Sequence, residues 1–406
     1  MRRAKDRAFL MWAAMVVRPF LLAAAILTWV FTLPLLLDDR LAATVGHDFA
    51  HFYTIGRVAL EHKPHVLYDP AALAVVQTSL VPTVGGPPYP PLYPPQTAVF
   101  FAPMSLLSFS AASALWAIIS AGVYFAVVFT TWRRFKRQLA DGVFVWAAAL
   151  AFPPFWYLIL FRQNSAIVLC ALWAGWLAWE ARRPVIAGVA FGCLALKPQF
   201  GMVLMPLLVI RREWPVVRGV AMSLAVQAVA ALAFLGPAVF IEYLRYVPRL
   251  LRGANSVEPV LYKSVSLRAL FRLLPEAIAM PLWLIGALIV FVAVHRAWRA
   301  EVPLRIRLVI VVLGTVLVNP HMYVYDGVVL APALLWLGTW HIERGTASQF
   351  RVQALLLAFA LWLLMPASLA LGAAAGLVAM AGAVGLEVWM LAAVLRAAAR
   401  LTSLEN

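Results

Sequence analysis

Long, nearly uncharged runs of Ala, Leu, Val and Trp recur along this chain from about residue 19 to residue 396. In a bilayer such a run has no water to satisfy its N–H and C=O groups, so it closes its hydrogen bonds within itself as helix. With 64% of its 406 residues hydrophobic and only 12% charged, the chain is expected to be an all-α polytopic membrane protein. The runs predict about 12 transmembrane helices, at 19–37, 111–132, 142–160, 164–180, 184–197, 199–210, 215–237, 275–295, 304–318, 324–341, 352–370 and 374–396. The segment 96–107 is apolar but short, and Pro103 interrupts it, so it reads as re-entrant or interfacial. Two predicted stretches are broken, 142–160 at Pro153-Pro154 and 184–210 at Lys197-Pro198. Broken helices within a membrane protein usually line a cavity.

Charge orients the runs. The formal net charge is +16, and basic residues cluster between alternate runs. Arg2, Arg3, Lys5, Arg7 and Arg18 come first, then Arg133, Arg134, Lys136 and Arg137, then the pairs Arg182-Arg183 and Arg211-Arg212. The positive-inside rule puts these loops and both termini in the cytoplasm of a plasma-membrane protein. It makes 1–18 a basic interfacial segment and 38–110 an extracytoplasmic loop. This clustering accounts for the charge without a nucleic-acid partner. The N-terminus lacks a small-residue cleavage site after a short apolar core, so it does not read as a cleaved signal peptide. Cys170 and Cys193 lie in apolar segments, so no disulfide framework is indicated. The chain reads as a single domain, 1–406.

Two polar excursions stand out. Residues 46–95 concentrate ionisable and turn-forming residues. Phe52, Tyr53, Gly56, Ala59 and Leu60 fall at helical spacing after Asp48, which suits a short helix at the membrane interface. Seven prolines between Pro82 and Pro95 then impose a stiff connection. The other excursion, 238–274, is basic on the outer side, against the topology bias, and holds Arg245, Arg249, Arg252, Lys263, Arg268 and Arg272. It is expected to meet an anion at the outer leaflet, either the headgroups of membrane lipids or a lipid-linked phosphate.

Several stretches taken together resemble one family. They are Asp48-Phe49 with Phe52-Tyr53, Leu67-Tyr68-Asp69, Tyr89-Pro90-Pro91, Tyr93-Pro94-Pro95, Pro103 to Leu106 and Trp116. Further on come Gln163-Asn164, Ala187-Gly188 to Gln199, Arg211 to Trp214, and Asn319-Pro320-His321 before Tyr325-Asp326. In order and spacing, from about residue 19 to 341, the chain is similar to glycosyltransferase family 87, polyprenol-phosphate-sugar-dependent mannosyltransferases of the GT-C membrane fold. One departure is Arg162, where the pattern leads one to expect a glycine. The resemblance implies transfer of a hexosyl residue, with mannosyl the favoured choice, from a polyprenyl-phosphate sugar to a lipid- or glycan-linked hydroxyl on the extracytoplasmic side. It places Asp48 as the base of a single displacement.

The residue types suit that chemistry. A phosphate leaving group needs positive charge and hydrogen bonds where negative charge builds, and the attacking hydroxyl needs a base. Pattern alone leaves Asp48 open between helix cap and base; the family position points to the base. Lys197, at a helix break, either snorkels or holds an anion. His321, Arg245, Lys263 and Arg268 are the further candidates for the donor phosphate. His51, Tyr53, Tyr89, Gln163 and Asn164 are the candidates for the sugars. Asp326 is expected to cap the next helix and not to be catalytic. No cofactor is expected: the His/Cys/carboxylate spacing makes no metal site, and there is no phosphate-loop glycine motif. The rival reading is a polytopic lipid or sugar transporter or flippase. Coupled carriers place acidic residues mid-span, and here Glu387 alone lies well inside an apolar run.

Overall fold

A computed structural model describes residues 22, 26, 29–30, 47–82, 89–139, 141–252, 264–300, 302–346, 354, 357, 361 and 373–402. Among these, all regular structure is helical, apart from one isolated antiparallel bridge between Ser264 and Tyr323. The helices that matter here are α1 (His47–Leu60), α2 (Pro95–Phe101), α3 (Phe109–Arg134), α4 (Pro153–Phe161), α5 (Ser165–Glu180) and α6 (Pro184–Gly192). They continue with α7 (Trp214–Leu235), α8 (Ala238–Arg252), α9 (Glu276–Ala297), α10 (Leu304–Val318), α11 (Leu330–Glu343) and α12 (Ala373–Thr402).

Among the described residues four helices, α3, α7, α9 and α12, are long and apolar enough to cross a membrane. Residues Gly142–Leu150 with α4, bent by 45°, make a fifth if counted as one span. Outward-facing Leu284, Ile285, Leu288 and Ile289 on α9 suit lipid contact. The protein is therefore a membrane protein, with its regular structure helical throughout the described residues. The expectation of about 12 spans counted apolar runs, and several of those runs are broken or short. Residues 184–210 form α6, a 3-10 turn (Cys193–Leu196), a second one (Pro198–Gly201) and the short helix Leu204–Ile210. Each limb rises only about 20 Å, less than a bilayer core. The expected spans 19–37 and 352–370 lie outside the described residues, a few isolated positions apart.

Two apolar clusters carry the packing. The larger surrounds α10, which is buried from Leu308 to Val318 and is apolar on every side. Against it, α6 and α7 lie unusually close. A Cβ on Gly188 would sit 1.9 Å from the Val216 carbonyl oxygen, and one on Gly219 2.0 Å from that of Val185. Only glycine permits this approach. The smaller cluster is the core of the polar loop: Phe49, Phe52, Val58, Leu67, Tyr68, Phe101 and Trp116, closed by Val239 and Tyr246 of α8.

Candidate active site

The second cluster fixes α1. Phe52 stacks on Phe101 with ring centroids 4.7 Å apart. Gly56 admits the α2 backbone, since a Cβ there would lie 2.6 Å from the Phe101 carbonyl oxygen. Ser105 Oγ donates to the Tyr53 carbonyl at 2.8 Å, and the Tyr53 hydroxyl donates to the Leu107 carbonyl at 2.8 Å. Tyr53, expected among the sugar-binding residues, is thus engaged in clamping α1 to the segment after α2.

Asp48 lies in the first turn of α1 and is buried. Its carboxylate reaches across the fold: Gln163 Nε2 donates to Asp48 Oδ2 at 2.6 Å. Tyr89, from the proline-rich connection, also hydrogen-bonds to it. Burial first, then the Asp48 charge and that hydrogen bond, push the Tyr89 hydroxyl up, so it stays protonated and donates. One turn along α1, His51 is buried with its ring 5.8 Å from that of Tyr93 and 6.4 Å from that of Tyr89. Tyr68 braces this wall by donating to the Tyr93 carbonyl at 2.9 Å.

Gln163 arrives by a turn between α4 and α5. Arg162 closes α4 in the left-handed region, φ 50° and ψ 44°, which is where a helix C-terminus ordinarily uses glycine. The glycine expected at this position therefore has a backbone reason. Trp116 Nε1 donates to the Gln163 carbonyl at 3.2 Å, and the Asn164 N–H donates to Gln163 Oε1 at 3.3 Å, which aims Nε2 at Asp48. The Asn164 side chain is buried, and neither amide atom has a hydrogen-bond partner among the described residues.

On the far side of the turn lies a second carboxylate. Lys197 sits on the tip between the two 3-10 turns, whose orphan carbonyls are met from α2. Gln96 Nε2 donates to Ala195 O at 3.2 Å, and Thr97 Oγ1 to Leu196 O at 3.4 Å. Lys197 is 2% exposed, and its Nζ pairs with Asp326 Oδ1 at 2.5 Å. It also donates to Ser165 Oγ at 3.1 Å, and that hydroxyl in turn donates to Asp326 Oδ1. Asp326 Oδ2 takes the Tyr323 N–H at 3.2 Å. Asp326 does cap the turn before α11, as expected, but it also neutralises Lys197. The expectation of Lys197 as an open cation for the donor phosphate meets a lysine whose charge is already answered.

The remaining candidate cations divide. Val265 N donates to the Met322 carbonyl at 2.8 Å and Ser264 bridges Tyr323, so the helix Leu267–Phe271 follows directly from the His321 turn's neighbour. On that helix Arg268 is 4% exposed and pairs through Nη2 with Glu276 at 2.6 Å, while its Nη1 has no acceptor among the described residues. The His321 ring stands edge-on to Tyr323 at 4.8 Å. Arg245 is exposed on α8, while Val239 and Tyr246 of the same helix are buried. Lys263 lies outside the described residues.

A family model, Glycosyltransferase family 87, matches residues 92–320. The chain belongs to glycosyltransferase family 87. It is a glycosyltransferase, and the matched span includes Gln163, Asn164, Ser165, Lys197 and Arg268. Asp48 and Tyr89 precede the span; His321 and Asp326 follow it. A polyprenol-phosphate-mannose-dependent alpha-(1-2)-phosphatidylinositol pentamannoside mannosyltransferase of Mycobacterium tuberculosis (strain CDC 1551 / Oshkosh) is 28% identical over 326 residues. That alignment covers 77% of this chain and 72% of the relative. No solved structure matches.

In this family 87 chain, then, the fold gathers Asp48, His51, Tyr89, Gln163 and Asn164 around one turn. Lys197 lies across it, held by Asp326. Two members of the cluster were not among the sequence candidates. Ser165 has the blandest of signals, a serine opening a helix. Asp326 was read only as a cap, because its partner Lys197 is 129 positions away.

Proposed function

We propose that this enzyme transfers a mannosyl residue from a polyprenyl-phosphate donor to a hydroxyl of a lipid- or glycan-linked acceptor, on the extracytoplasmic side, with Asp48 as the base. The observation that carries the reading is the buried Asp48 carboxylate, oriented by Gln163 Nε2 at 2.6 Å and by the Tyr89 hydroxyl, on a wall of aromatic side chains suited to a sugar. The named activity of the mannosyltransferase relative supports the donor class.

The step is a single displacement. The acceptor O–H gives its proton to Asp48 as its oxygen bonds to the anomeric carbon, and the bond from that carbon to the phosphate oxygen breaks. The bound donor is a phosphodiester with one negative charge; the departing polyprenyl phosphate gains a second. The group that stabilises it must offer a donor not already spent. Arg268, with a buried and unanswered Nη1, fits that role, with His321 beside the isolated bridge between Ser264 and Tyr323. The Lys197–Asp326 pair contributes no net charge and so acts on geometry.

The test is radiolabelled transfer by purified enzyme in nanodiscs, comparing polyprenyl-phosphate mannose with a nucleotide mannose. The lipid donor alone is expected to serve. Efficient use of the nucleotide sugar would overturn the reading.

A further inference from the structure

The two buried carboxylates are joined by a single tripeptide. Gln163 holds Asp48 and Ser165 holds Asp326, so the turn Gln163-Asn164-Ser165 spans the distance between them. Both of its ends are fixed. The Ser165 hydroxyl is locked by Asp326 and by Lys197 at 3.1 Å. That anchor sets the Asn164 peptide, whose N–H meets Gln163 Oε1 at 3.3 Å and so settles which end of the Gln163 amide faces Asp48. Trp116 holds the Gln163 carbonyl from the other side at 3.2 Å. All five polar residues, Asp48, Gln163, Ser165, Lys197 and Asp326, are buried. A buried ion pair contributes little net stability, because desolvation offsets the Coulomb attraction, but it is a stiff directional anchor.

We propose that the Lys197–Asp326 pair is a positioning unit for the base, acting on Asp48 through Ser165 and the Gln163 amide, and that the bare Asn164 amide between them receives a substrate hydroxyl. This rests on the reading of Asp48 as the base. The Asn164 side chain supports the second half: it is 1% exposed, with a donor and an acceptor both unanswered. A buried amide left so costs free energy until something binds it. A sugar hydroxyl, which donates and accepts at once, is the simplest complement.

The sign of the effect on Asp48 follows from the hydrogen bond. Gln163 Nε2 donates to the carboxylate and so favours its charged form; loosening that bond raises the carboxyl's affinity for a proton. The other titratable groups that sense Asp48 are Tyr89, Tyr93 and Tyr325, with His51 one turn away on α1. Lys197 and Asp326 lie across the turn, joined to it through Ser165.

The experiment is Ser165→Ala, which cuts the link but leaves the direct Lys197–Asp326 pair. The acid limb of the kcat/KM–pH profile is expected to move up by about half a pH unit, and kcat to fall about tenfold with the donor KM unchanged. Gln163→Ala should move the limb the same way, and the double variant no further than Gln163→Ala alone. Ser165→Thr, which keeps the hydroxyl, should return the limb to its wild-type position. For the hydroxyl subsite, Asn164→Ala should raise the acceptor KM and leave the limb in place. An unmoved limb in a folded Ser165→Ala enzyme, while Asp48→Asn is inactive, would overturn the positioning unit alone. An active Asp48→Asn enzyme would overturn the base itself, and with it this inference.

Discussion

The chain buries two aspartates on either side of one turn and treats them oppositely. Asp326 is fully buried and meets an ammonium, a hydroxyl and a backbone N–H. Its lone pairs are largely spent, and its charge is answered by Lys197. Asp48 is reached by the Gln163 amide and the Tyr89 phenol, neutral donors that orient a carboxylate. A carboxylate oriented by neutral donors is placed to take a proton from a hydroxyl. On the reading proposed above, the same residue type is a strut in one place and the base in the other, and the difference lies in the partners. Position in the chain would not have separated them, since each opens a helical segment.

The sharpest way to break the comparison is to neutralise each acid in turn. Asp48→Asn keeps the shape and a comparable capping ability, and transfer is expected to fall by about 10²–10⁴-fold, the range for losing a general base. The thermal midpoint in detergent should hardly move. Retained turnover would reduce Asp48 to a structural residue. The matching change on the other side, Lys197→Met, strands a buried carboxylate and should destabilise by about 3–5 kcal/mol. Adding Asp326→Leu should recover most of that stability, because a matched apolar pair replaces the ion pair. The stability measurement discriminates: a Lys197→Met enzyme that keeps its full thermal midpoint while losing donor affinity would make Lys197 a phosphate ligand after all.

A third test concerns the cation left with a donor to spare. Arg268→Gln should lower kcat/KM by about 10²-fold or more, the cost of one well-placed donor at a developing anion, with acceptor KM unchanged. Arg245→Gln, on the exposed face of α8, should change transfer by less than about threefold, as screened surface charges contribute little. Equal losses in the two variants would move the phosphate site from the buried helix to the surface of α8.

What the sequence made legible was the chemistry that stays local. Apolar runs announced membrane helices, Lys197-Pro198 announced a break, and the dense stretch after Asp48 announced a folded polar loop. What it could not show was pairing at a distance. Gln163 meets Asp48 across 115 positions and Lys197 meets Asp326 across 129, and neither separation has a periodicity to betray it. Among the described residues only four or five helices reach spanning length where about 12 spans were expected, for a related reason. Hydropathy measures length in residues, whereas Pro184 to Ile210 turns back on itself within about 20 Å. The 3-10 turns that cause this depend on contacts with Gln96 and Thr97, again a hundred positions away.

Arg162 offers the smallest effect and the finest test of why the turn holds its shape. Its backbone sits at φ 50°, a conformation that costs a residue with a side chain about 1–2 kcal/mol and glycine almost nothing. Its guanidinium is buried and donates to the Leu160 carbonyl at 3.0 Å, while Nε has no acceptor among the described residues. Arg162→Gly and Arg162→Ala both delete the guanidinium, so their difference isolates the backbone. Glycine gives back part of its gain through the freedom of its unfolded chain. The Gly variant is therefore expected to be more stable than the Ala variant by about 1 kcal/mol, read as thermal midpoints in detergent. Transfer by the Gly variant should stay within about twofold of wild type, because Trp116 and Asp326 still hold the two ends of the turn. Equal stability of the two variants would mean that the left-handed backbone costs nothing here and that the side chain, not the turn, sets the residue. A large loss of transfer in the Gly variant would mean that the arginine itself stiffens Gln163 against Asp48, which would tie the surroundings of the base to the helix behind it as well as to the ion pair in front.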